Sequence, residues 1–135
     1  MKNTFYIEDV EFLKTSTYQE FMMNHPGRGN LKIRAYAASE ALPVSGLRIV
    51  VSSTINNQKI IFFDGLTDSS GMINTISLPA PKLNLNNLEV PATIRYEIDA
   101  FFDNQVGKRS FYVNMYDGIC VVQNINYTPG EEYVS

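Results

Sequence analysis

The sequence is poor in the residues that build metal and catalytic sites: its 135 residues include one cysteine, one histidine and no tryptophan. Cys120 cannot form a disulfide within the chain, and with His25 it is too little for a zinc cluster of several cysteine and histidine ligands. The 11 basic and 14 acidic residues are scattered and give a net charge of −3, so no basic face is available for nucleic-acid phosphates. No stretch approaches the roughly 20 apolar residues of a transmembrane helix. We therefore expect neither nucleic-acid binding nor membrane insertion.

The first residues do not have the pattern that is typical of a secretion signal. Glu8 and Asp9 interrupt the apolar run too early for the core of a signal peptide. We expect synthesis in the cytoplasm without a signal peptide, and the final location stays open.

What the sequence does contain is apolar residues in a strand pattern. Hydrophobic residues make up 44% of the chain, which is enough for one core. Apolar and polar residues alternate in residues 31–37, 47–51 and 93–100, and this period is typical of strands in a β-sandwich. Residues 93–100 alternate most clearly and are expected to form a central strand, whereas residues 60–63 are apolar on both faces. We predict an all-β fold, an antiparallel β-sandwich of about seven strands with a transthyretin-like architecture.

Turn residues separate these runs. Turns are predicted at Asn56–Asn57, at residues 103–107 and at Asp117–Gly118, and the last strand is predicted over residues 119–127. These limits divide the chain into an N-terminal arm with a short helix (residues 1–27), a β-sandwich domain (28–130) and a C-terminal tail (131–135).

The N-terminal arm is too apolar for a disordered tail. Thr17 and Glu20 fit a capping box, which predicts a helix over about residues 18–24 that ends before Pro26. The arm must pack on its own sandwich or on a neighbouring subunit, and the sequence leaves both open. Our candidate assembly residues are the apolar residues of the arm together with two residues of the run that is apolar on both faces. They are Phe5, Tyr6, Ile7, Val10, Phe12, Leu13, Ile61 and Phe63.

The stretch of residues 67–71 (TDSSG) has three possible interpretations. A calcium loop needs more acidic ligands after Asp68, and a nucleophile elbow needs a different glycine spacing and a histidine base. A turn needs only that the Asp68 carboxylate accepts backbone N–H groups and that Gly71 adopts a positive φ. We predict a hairpin between two strands, with Asp68 and Gly71 as structural turn residues.

Short motifs in the sandwich resemble a known family: EALPVSG at residues 40–46, TDSSG at 67–71 and LPAP at 78–81. The chain resembles the carboxypeptidase regulatory-like modules, which are transthyretin-like β-sandwiches, over about residues 28–129. It is most similar to the version found in clostridial and related Firmicute proteins, including the N-terminal region of spore cortex-lytic enzymes, whose end resembles residues 116–119 and 123–126. The resemblance implies a sandwich without catalytic residues of its own.

Lys32, Glu97 and an asparagine of the last strand, Asn124 or Asn126, are the residue types of an intramolecular isopeptide bond. That chemistry needs a dry pocket, whereas the alternation places Lys32 and Glu97 on polar faces. A solvated charge pair is the expected outcome.

Other polar and aromatic residues have a structural explanation beside a functional one. Cys120 alternates with Val122, which indicates a small core residue, and His25 is expected at a helix end. Four outward tyrosines are either a platform for glycan binding or half-apolar strand residues: Tyr36, Tyr112, Tyr116 and Tyr127.

Glu97 and Asp99 share a face of one predicted strand, about 7 Å apart. With Lys32, Arg34 and Arg95 as neighbours, we interpret them as a surface charge ladder and not as a catalytic pair. We predict no catalytic residues, no bound metal and no cofactor, and therefore no enzyme activity.

The favoured function is a non-enzymatic structural subunit that self-assembles or decorates a surface layer, an appendage, a spore or a phage particle. Its expected partners are further copies of the chain or other structural proteins, which an exposed sheet edge can accept. The alternative is a module that binds cell-wall glycan or tethers a cortex-lytic enzyme. An enzyme is the third possibility, disfavoured because the sequence lacks a histidine pair and a phosphate-binding loop.

Overall fold

The computed structural model describes residues 4–37, 42–83, 86, 92–102 and 107–127. Within them lie nine strands and two helices. Their bounds are β1 (Thr4–Tyr6), α1 (Val10–Leu13), α2 (Ser16–Asn24), β2 (Gly27–Ala37), β3 (Leu42–Pro43), β4 (Arg48–Ile55), β5 (Gln58–Leu66), β6 (Ile76–Ala80), β7 (Ile94–Phe102), β8 (Gly107–Met115) and β9 (Cys120–Tyr127).

The strands form two sheets packed face to face. Sheet I has the order β1-β5-β4-β7-β8, so β7 is internal, as predicted for residues 93–100. In sheet II, β3 and β6 pair with one edge of β2, and β9 pairs with the other. This arrangement confirms the all-β sandwich.

Two of the ladders are parallel, contrary to the prediction of antiparallel pairing throughout. They are β1 with β5 and β2 with β9. The second follows from the turn after β8, where Gly118 N–H donates to the Arg28 carbonyl and Asn30 N–H donates to the Ile119 carbonyl. These bonds make β9 begin beside the beginning of β2, so the two strands run in the same direction.

The core lies between the sheets and is built by the inward positions of each strand. In β2 every odd-numbered position is buried, and in β7 the even-numbered positions from Ile94 to Ala100 are buried, as the alternation predicts. The main cluster contains Phe21, Leu31, Ile33, Ala35, Leu47, Ile49, Val51, Ile73, Leu78, Ala80, Ile94, Tyr96, Ile98, Ala100, Met115 and Ile125.

A bulge in β5 explains the run that is apolar on both faces. Phe63 pairs with Val51 and Ile61 pairs with Ser52, so Phe62 has no partner in the ladder. Phe62 and Phe63 both pack against the core as a result. Ile61 is buried on the outer face, beside Tyr6 of β1.

The segment 68–71 is a turn but not a hairpin, because β5 belongs to sheet I and β6 to sheet II. The Asp68 carboxylate accepts N–H groups of Ser70 and Met72 at 2.8 and 3.1 Å, and Gly71 has φ +75°. Ala35 N–H then donates to the Gly71 carbonyl. This hydrogen bond attaches the turn to β2 of sheet II, so the chain crosses from sheet I to sheet II at this turn.

The helical part of the arm also differs from the prediction. Thr15, not Thr17, caps α2, because its hydroxyl accepts the Tyr18 N–H at 3.2 Å. The end of α2 at Asn24 agrees with the predicted limit. The short helix α1, which Asp9 caps, was not predicted.

The inward face of β9 is the opposite of the predicted one. Cys120 and Val122 are exposed, while Val121 and Ile125 face the core. Because β9 has apolar residues on both faces, alternation alone did not identify the inward one, and the face was assigned wrongly.

Asn56 and Asn57 form the predicted turn, with φ of 52° and 64°. The turn predicted for residues 103–107 lies almost wholly outside the described residues, as do the chain end after residue 127 and its predicted tail. No helix in the described ranges combines the length and apolar character that crossing a membrane demands.

Candidate functional site

The N-terminal arm, defined here as residues 4–24, packs on the chain's own sandwich. Its strand β1 adds to β5 in a parallel ladder that joins Thr4 to Lys59, Phe5 to Ile60 and Tyr6 to Ile61. Ile7 N–H continues the ladder by donating to the Ile61 carbonyl at 2.8 Å. The arm thus supplies the outermost strand of sheet I.

Aromatic contacts connect the arm to the core. Phe12 of α1 is 1% exposed, and its ring stacks on Phe5 with centroids 4.9 Å apart. In α2, Phe21 contacts Phe62 at 5.7 Å, and Phe62 contacts the buried Tyr96 at 5.3 Å. Large aromatic side chains are the main apolar contribution of such segments, so the arm is attached mainly by these rings.

Polar contacts on the outer face of sheet I also involve β1. Arg48 donates two hydrogen bonds to the Asp64 carboxylate, at 3.0 and 2.9 Å, and the Tyr6 hydroxyl lies 3.4 Å from the same carboxylate. The hydrogen bond from Arg48 holds the pKa of Asp64 below its usual range, with a further contribution from the positive charge. Tyr6 therefore meets a carboxylate that is already ionised and oriented.

The candidate assembly residues divide into three groups by exposure. Phe12 and Ile61 are buried within the chain, whereas Tyr6 and Val10 are 38% and 63% exposed. The other four are half-buried: Phe5, Ile7, Leu13 and Phe63. Their role in contacts between copies stays a prediction. Met23 of α2, 79% exposed, is a further apolar surface residue that the sequence did not single out.

A charged patch lies on the outer face of β5, β7 and β8, and it contains Glu97 and Asp99 as predicted. The cations that contact them are not the predicted Lys32 and Arg34, which lie on β2 in the other sheet. Lys59 Nζ is 3.6 Å from an oxygen of each carboxylate, and Lys108 Nζ is 4.0 Å from Asp99. The sequence did not indicate Lys59 as a partner, because β5 comes near β7 only through the order of strands in sheet I.

Asp99 is 1% exposed although it faces away from the core. The Ser110 hydroxyl donates to its Oδ1 at 2.7 Å, and the two lysines supply opposite charge. A buried carboxylate is tolerated when it is paired and hydrogen-bonded in this way. The arrangement is that of a fixed ion network, in which Asp99 has a structural part.

A shallow cavity of about 270 Å³ opens beside this network, lined by Ser53, Thr54, Arg95, Glu97 and Tyr112. The Arg95 guanidinium lies 4.0 Å from the centre of the Tyr112 ring. A hydrogen bond to Glu97 and the charge of that carboxylate raise the pKa of Tyr112. The cavity therefore combines donors, a carboxylate and an aromatic ring, which suits a polar ligand.

The isopeptide triad is not brought together. Lys32 pairs with Val122, Asn124 with Arg34 and Asn126 with Tyr36, all within sheet II. Glu97 belongs to sheet I. The expected charge pair of Lys32 with Glu97 is absent for the same reason, since the two side chains point away from each other on opposite outer faces.

The four tyrosines do not form one platform either. Tyr112 is on the outer face of sheet I, Tyr36 is on sheet II, and Tyr127 packs against the core. His25 lies at the end of α2, as expected. Its Nδ1 is 2.6 Å from the Phe21 carbonyl and must carry the proton of that hydrogen bond.

Within the described part of the chain, no group of three or more His, Cys, Asp or Glu side chains is arranged to hold a metal ion. The two acids of the charged patch, Glu97 and Asp99, lie on the same face of β7. Both are engaged by the same lysine, which makes them an ion network more than an acid–base pair.

No protein-family model matches the sequence, and curated proteins give no sequence match. The fold is similar to that of 5-hydroxyisourate hydrolase from Klebsiella pneumoniae, with 15% identity, a TM-score of 0.51 and coverage of 76% of this chain and 92% of that chain. For (S)-allantoin synthase the identity is 10%, the TM-score 0.50 and the coverage 74% and 41%. For transthyretin from Sparus aurata the identity is 13%, the TM-score is 0.43, and the match covers 72% of this chain and 90% of that chain.

Identities this low show the fold alone. The likeness to the hydrolase supports the transthyretin-like β-sandwich. Enzymes share this architecture, so the fold leaves open whether this chain is one.

Proposed function

We propose that this chain is a non-enzymatic structural subunit that self-assembles by exchanging its N-terminal arm between copies. The observation that carries the proposal is the short parallel ladder between β1 and β5, with Phe12 buried behind it. Every contact of this kind can form equally well between two copies, which makes exchange of an arm a low-cost route to oligomers.

The connection between the arm and the sandwich is suited to exchange. Only His25 and Pro26 lie between α2 and β2, so the arm can leave as one unit by rotation at two residues. Release of β1 would expose the edge of β5 with its unpaired N–H and C=O groups. Such an edge is a template for a strand from another chain.

The energies also favour the arm as the part that moves. Release of the arm exposes Phe12 and Phe21, whose burial contributes about 1.5–3 kcal/mol each, and a three-residue ladder adds little beyond the entropy of fixing it. All the other buried members of the main cluster belong to the sandwich and stay together. Local opening of the arm is therefore expected at a lower free energy than global unfolding.

Two single-cysteine chains test the exchange, both in a Cys120→Ser background. One carries Thr4→Cys and the other Lys59→Cys, which are partners in the β1–β5 ladder, at a spacing of about 5 Å that a disulfide can span. After mixing and mild oxidation we expect a disulfide-linked heterodimer, because the two thiols meet only if the arm of one chain lies on β5 of the other.

A control chain with Ser45→Cys in place of Lys59→Cys measures random cross-linking, since Ser45 is exposed and outside the arm contact. Equal yields from the two mixtures would contradict arm exchange. Light scattering over a range of concentrations gives the second readout. The full chain should assemble, and a form without residues 1–16 should not.

The polar cavity beside the charged patch favours a second candidate, a module that binds cell-envelope glycan or tethers a cortex-lytic enzyme. Its Arg95, Glu97 and Tyr112 offer donors, acceptors and a ring to sugar hydroxyls. Retention on peptidoglycan that is lost in Arg95→Ala but kept in Arg34→Ala would support it. A chain that is monomeric at all concentrations and is retained would make this candidate the better one.

The setting of the assembly belongs to the same proposal. The sequence resemblance to modules of spore cortex-lytic enzymes favours a spore or cell envelope, and a surface layer, an appendage or a phage particle would use the same arm.

A further inference from the structure

A second cavity lies between the N-terminal arm and the sandwich. It measures about 150 Å³. The arm provides three of its walls, Ile7, Tyr18 and Met22, and β5 and β6 provide Phe62 and Pro79, so that the walls are apolar apart from the Tyr18 hydroxyl. Two polar residues, Arg28 of β2 and Ser77 of β6, complete the lining.

The size of this cavity limits the ligand. An apolar cavity of about 150 Å³ holds one benzene molecule. A single ring, or a branched aliphatic group of the same volume, therefore fills this space. Its contacts would be with a phenylalanine, a methionine and an isoleucine side chain, which are typical walls of small-molecule sites.

The positive charge of Arg28 beside the cavity determines which polar group a ligand should carry. The Arg28 guanidinium has no hydrogen-bond or ion-pair partner among the described residues, since Asp117 accepts only the backbone N–H of Arg28. Ser77 adds a hydroxyl. The one buried phenol nearby, Tyr96, is already committed to the Pro79 carbonyl at 2.6 Å. The groups left over are thus donors with a positive charge, which a carboxylate satisfies best.

We propose that this cavity binds a small carboxylic acid with one ring or a branched apolar body, with the carboxylate on Arg28. Because the walls come from both the arm and the sandwich, the ligand fills its site only when the arm is docked. A bound ligand therefore lowers the population of the released arm by the factor 1 + [L]/Kd.

The effect of the ligand on exchange of the arm rests on the proposed function, whereas binding of the ligand to the cavity does not. Exchange between copies must pass through the released arm, so a ligand slows exchange whether the arm finally docks on its own chain or on another. At a ligand concentration of ten times Kd the rate should fall about tenfold.

Benzoate and its neutral isostere benzamide are the probes, titrated into the full chain and followed by the NMR signal of the Met22 methyl group. We expect benzoate to bind with a Kd of about 1 mM, as a ligand of this size does in a partly open site. Benzamide should bind at least about tenfold more weakly, because it lacks the charge that pairs with Arg28.

Arg28→Gln should weaken benzoate binding about tenfold or more and leave benzamide binding unchanged. Arg34→Gln is the matched control, because Arg34 is an exposed arginine on the same face of β2 outside the cavity. Equal binding of the two probes, or equal effects of the two variants, would overturn the proposal, as would the absence of a Met22 response.

The cysteine heterodimer assay with and without benzoate separates the two proposals. Benzoate binding without any heterodimer supports the cavity and contradicts arm exchange. Heterodimers that form at the same rate at saturating benzoate contradict the proposed effect of the ligand on the arm.

Discussion

Gly71 is the residue at which the chain changes sheets, and its position leaves no room for a side chain. A Cβ there would collide with the Ala35 carbonyl oxygen of β2 and would lie 3.1 Å from Val44 N. The same residue has a positive φ of 75°, and its carbonyl accepts the Ala35 N–H at 2.7 Å. Conformation and close approach therefore both require glycine at this point.

Gly71→Ala is predicted to destabilise the protein more than Gly46→Ala does. Gly46 has nearly the same φ, 77°, but no atom lies within 4 Å of the position that its Cβ would take. Gly46→Ala should cost about 1–2 kcal/mol for the left-handed backbone alone, and Gly71→Ala about 1–3 kcal/mol more for displacing β2. Urea denaturation measures both. Equal losses would show that the contact with Ala35 is not tight.

At the scale of elements, the start of α2 shows how a neighbouring helix decides between two possible caps. Thr17 with Glu20 has the sequence of a capping box, yet Thr15 is the cap. The Thr15 hydroxyl accepts the Tyr18 N–H and also donates to the Phe12 carbonyl at 2.7 Å, at the end of α1. One side chain thus serves the end of one helix and the beginning of the next, which the isolated pattern of α2 does not reveal.

Thr15→Ala is predicted to lower the free energy of unfolding by about 1 kcal/mol, the usual value of an N-cap. Thr17→Ala, inside the helix, should change it by less than about 0.5 kcal/mol. Thermal and chemical unfolding of the two variants measure this difference. The reverse order of the two losses would restore Thr17 as the cap.

At the scale of the whole molecule, Asp117 stabilises the turn between β8 and β9, where the chain passes from sheet I to sheet II. Its carboxylate accepts the N–H groups of Arg28 and Leu83, both at 3.1 Å. The strand β2 passes so close that a Cβ on Gly27 would lie 2.6 Å from the carboxyl carbon of Asp117. These backbone hydrogen bonds, first that of Leu83 and then that of Arg28, hold the pKa of Asp117 below its usual range.

This lowered pKa predicts how stability depends on pH. A carboxyl group with a lower pKa in the folded state contributes stability above its unfolded pKa of about 3.9, and this contribution is lost as the pH falls through the folded pKa. The advantage of the native chain over Asp117→Asn should therefore be constant above about pH 5 and shrink below about pH 4. Urea denaturation between pH 2 and 7 measures it. Glu20→Gln, which removes an exposed carboxylate of α2, controls for the change in net charge, and a parallel loss in both variants would contradict the role of Asp117.

The sequence by itself determined the local features of this protein. Alternation with period two identified β2 and β7 and the inward residues of each, because successive side chains of a strand point to opposite faces. Asn56 and Asn57 identified a tight turn, because asparagine tolerates a left-handed backbone. The same logic placed Glu97 and Asp99 on one face, which is the part of the charged patch that lies on a single strand.

The tertiary structure decided everything that depends on which strand lies beside which. Periodicity states that residues share a face but not what that face meets. Only the strand order brings Lys59 to Asp99, and only the bond from Ala35 to Gly71 makes the turn a crossing between sheets. Where both faces of a strand are partly apolar, as in β9, the pattern cannot choose the inner one, and packing against β2 decides. The docking of the arm on β5 was open for the same physical reason: an apolar segment must be covered, but its sequence does not name the surface that covers it.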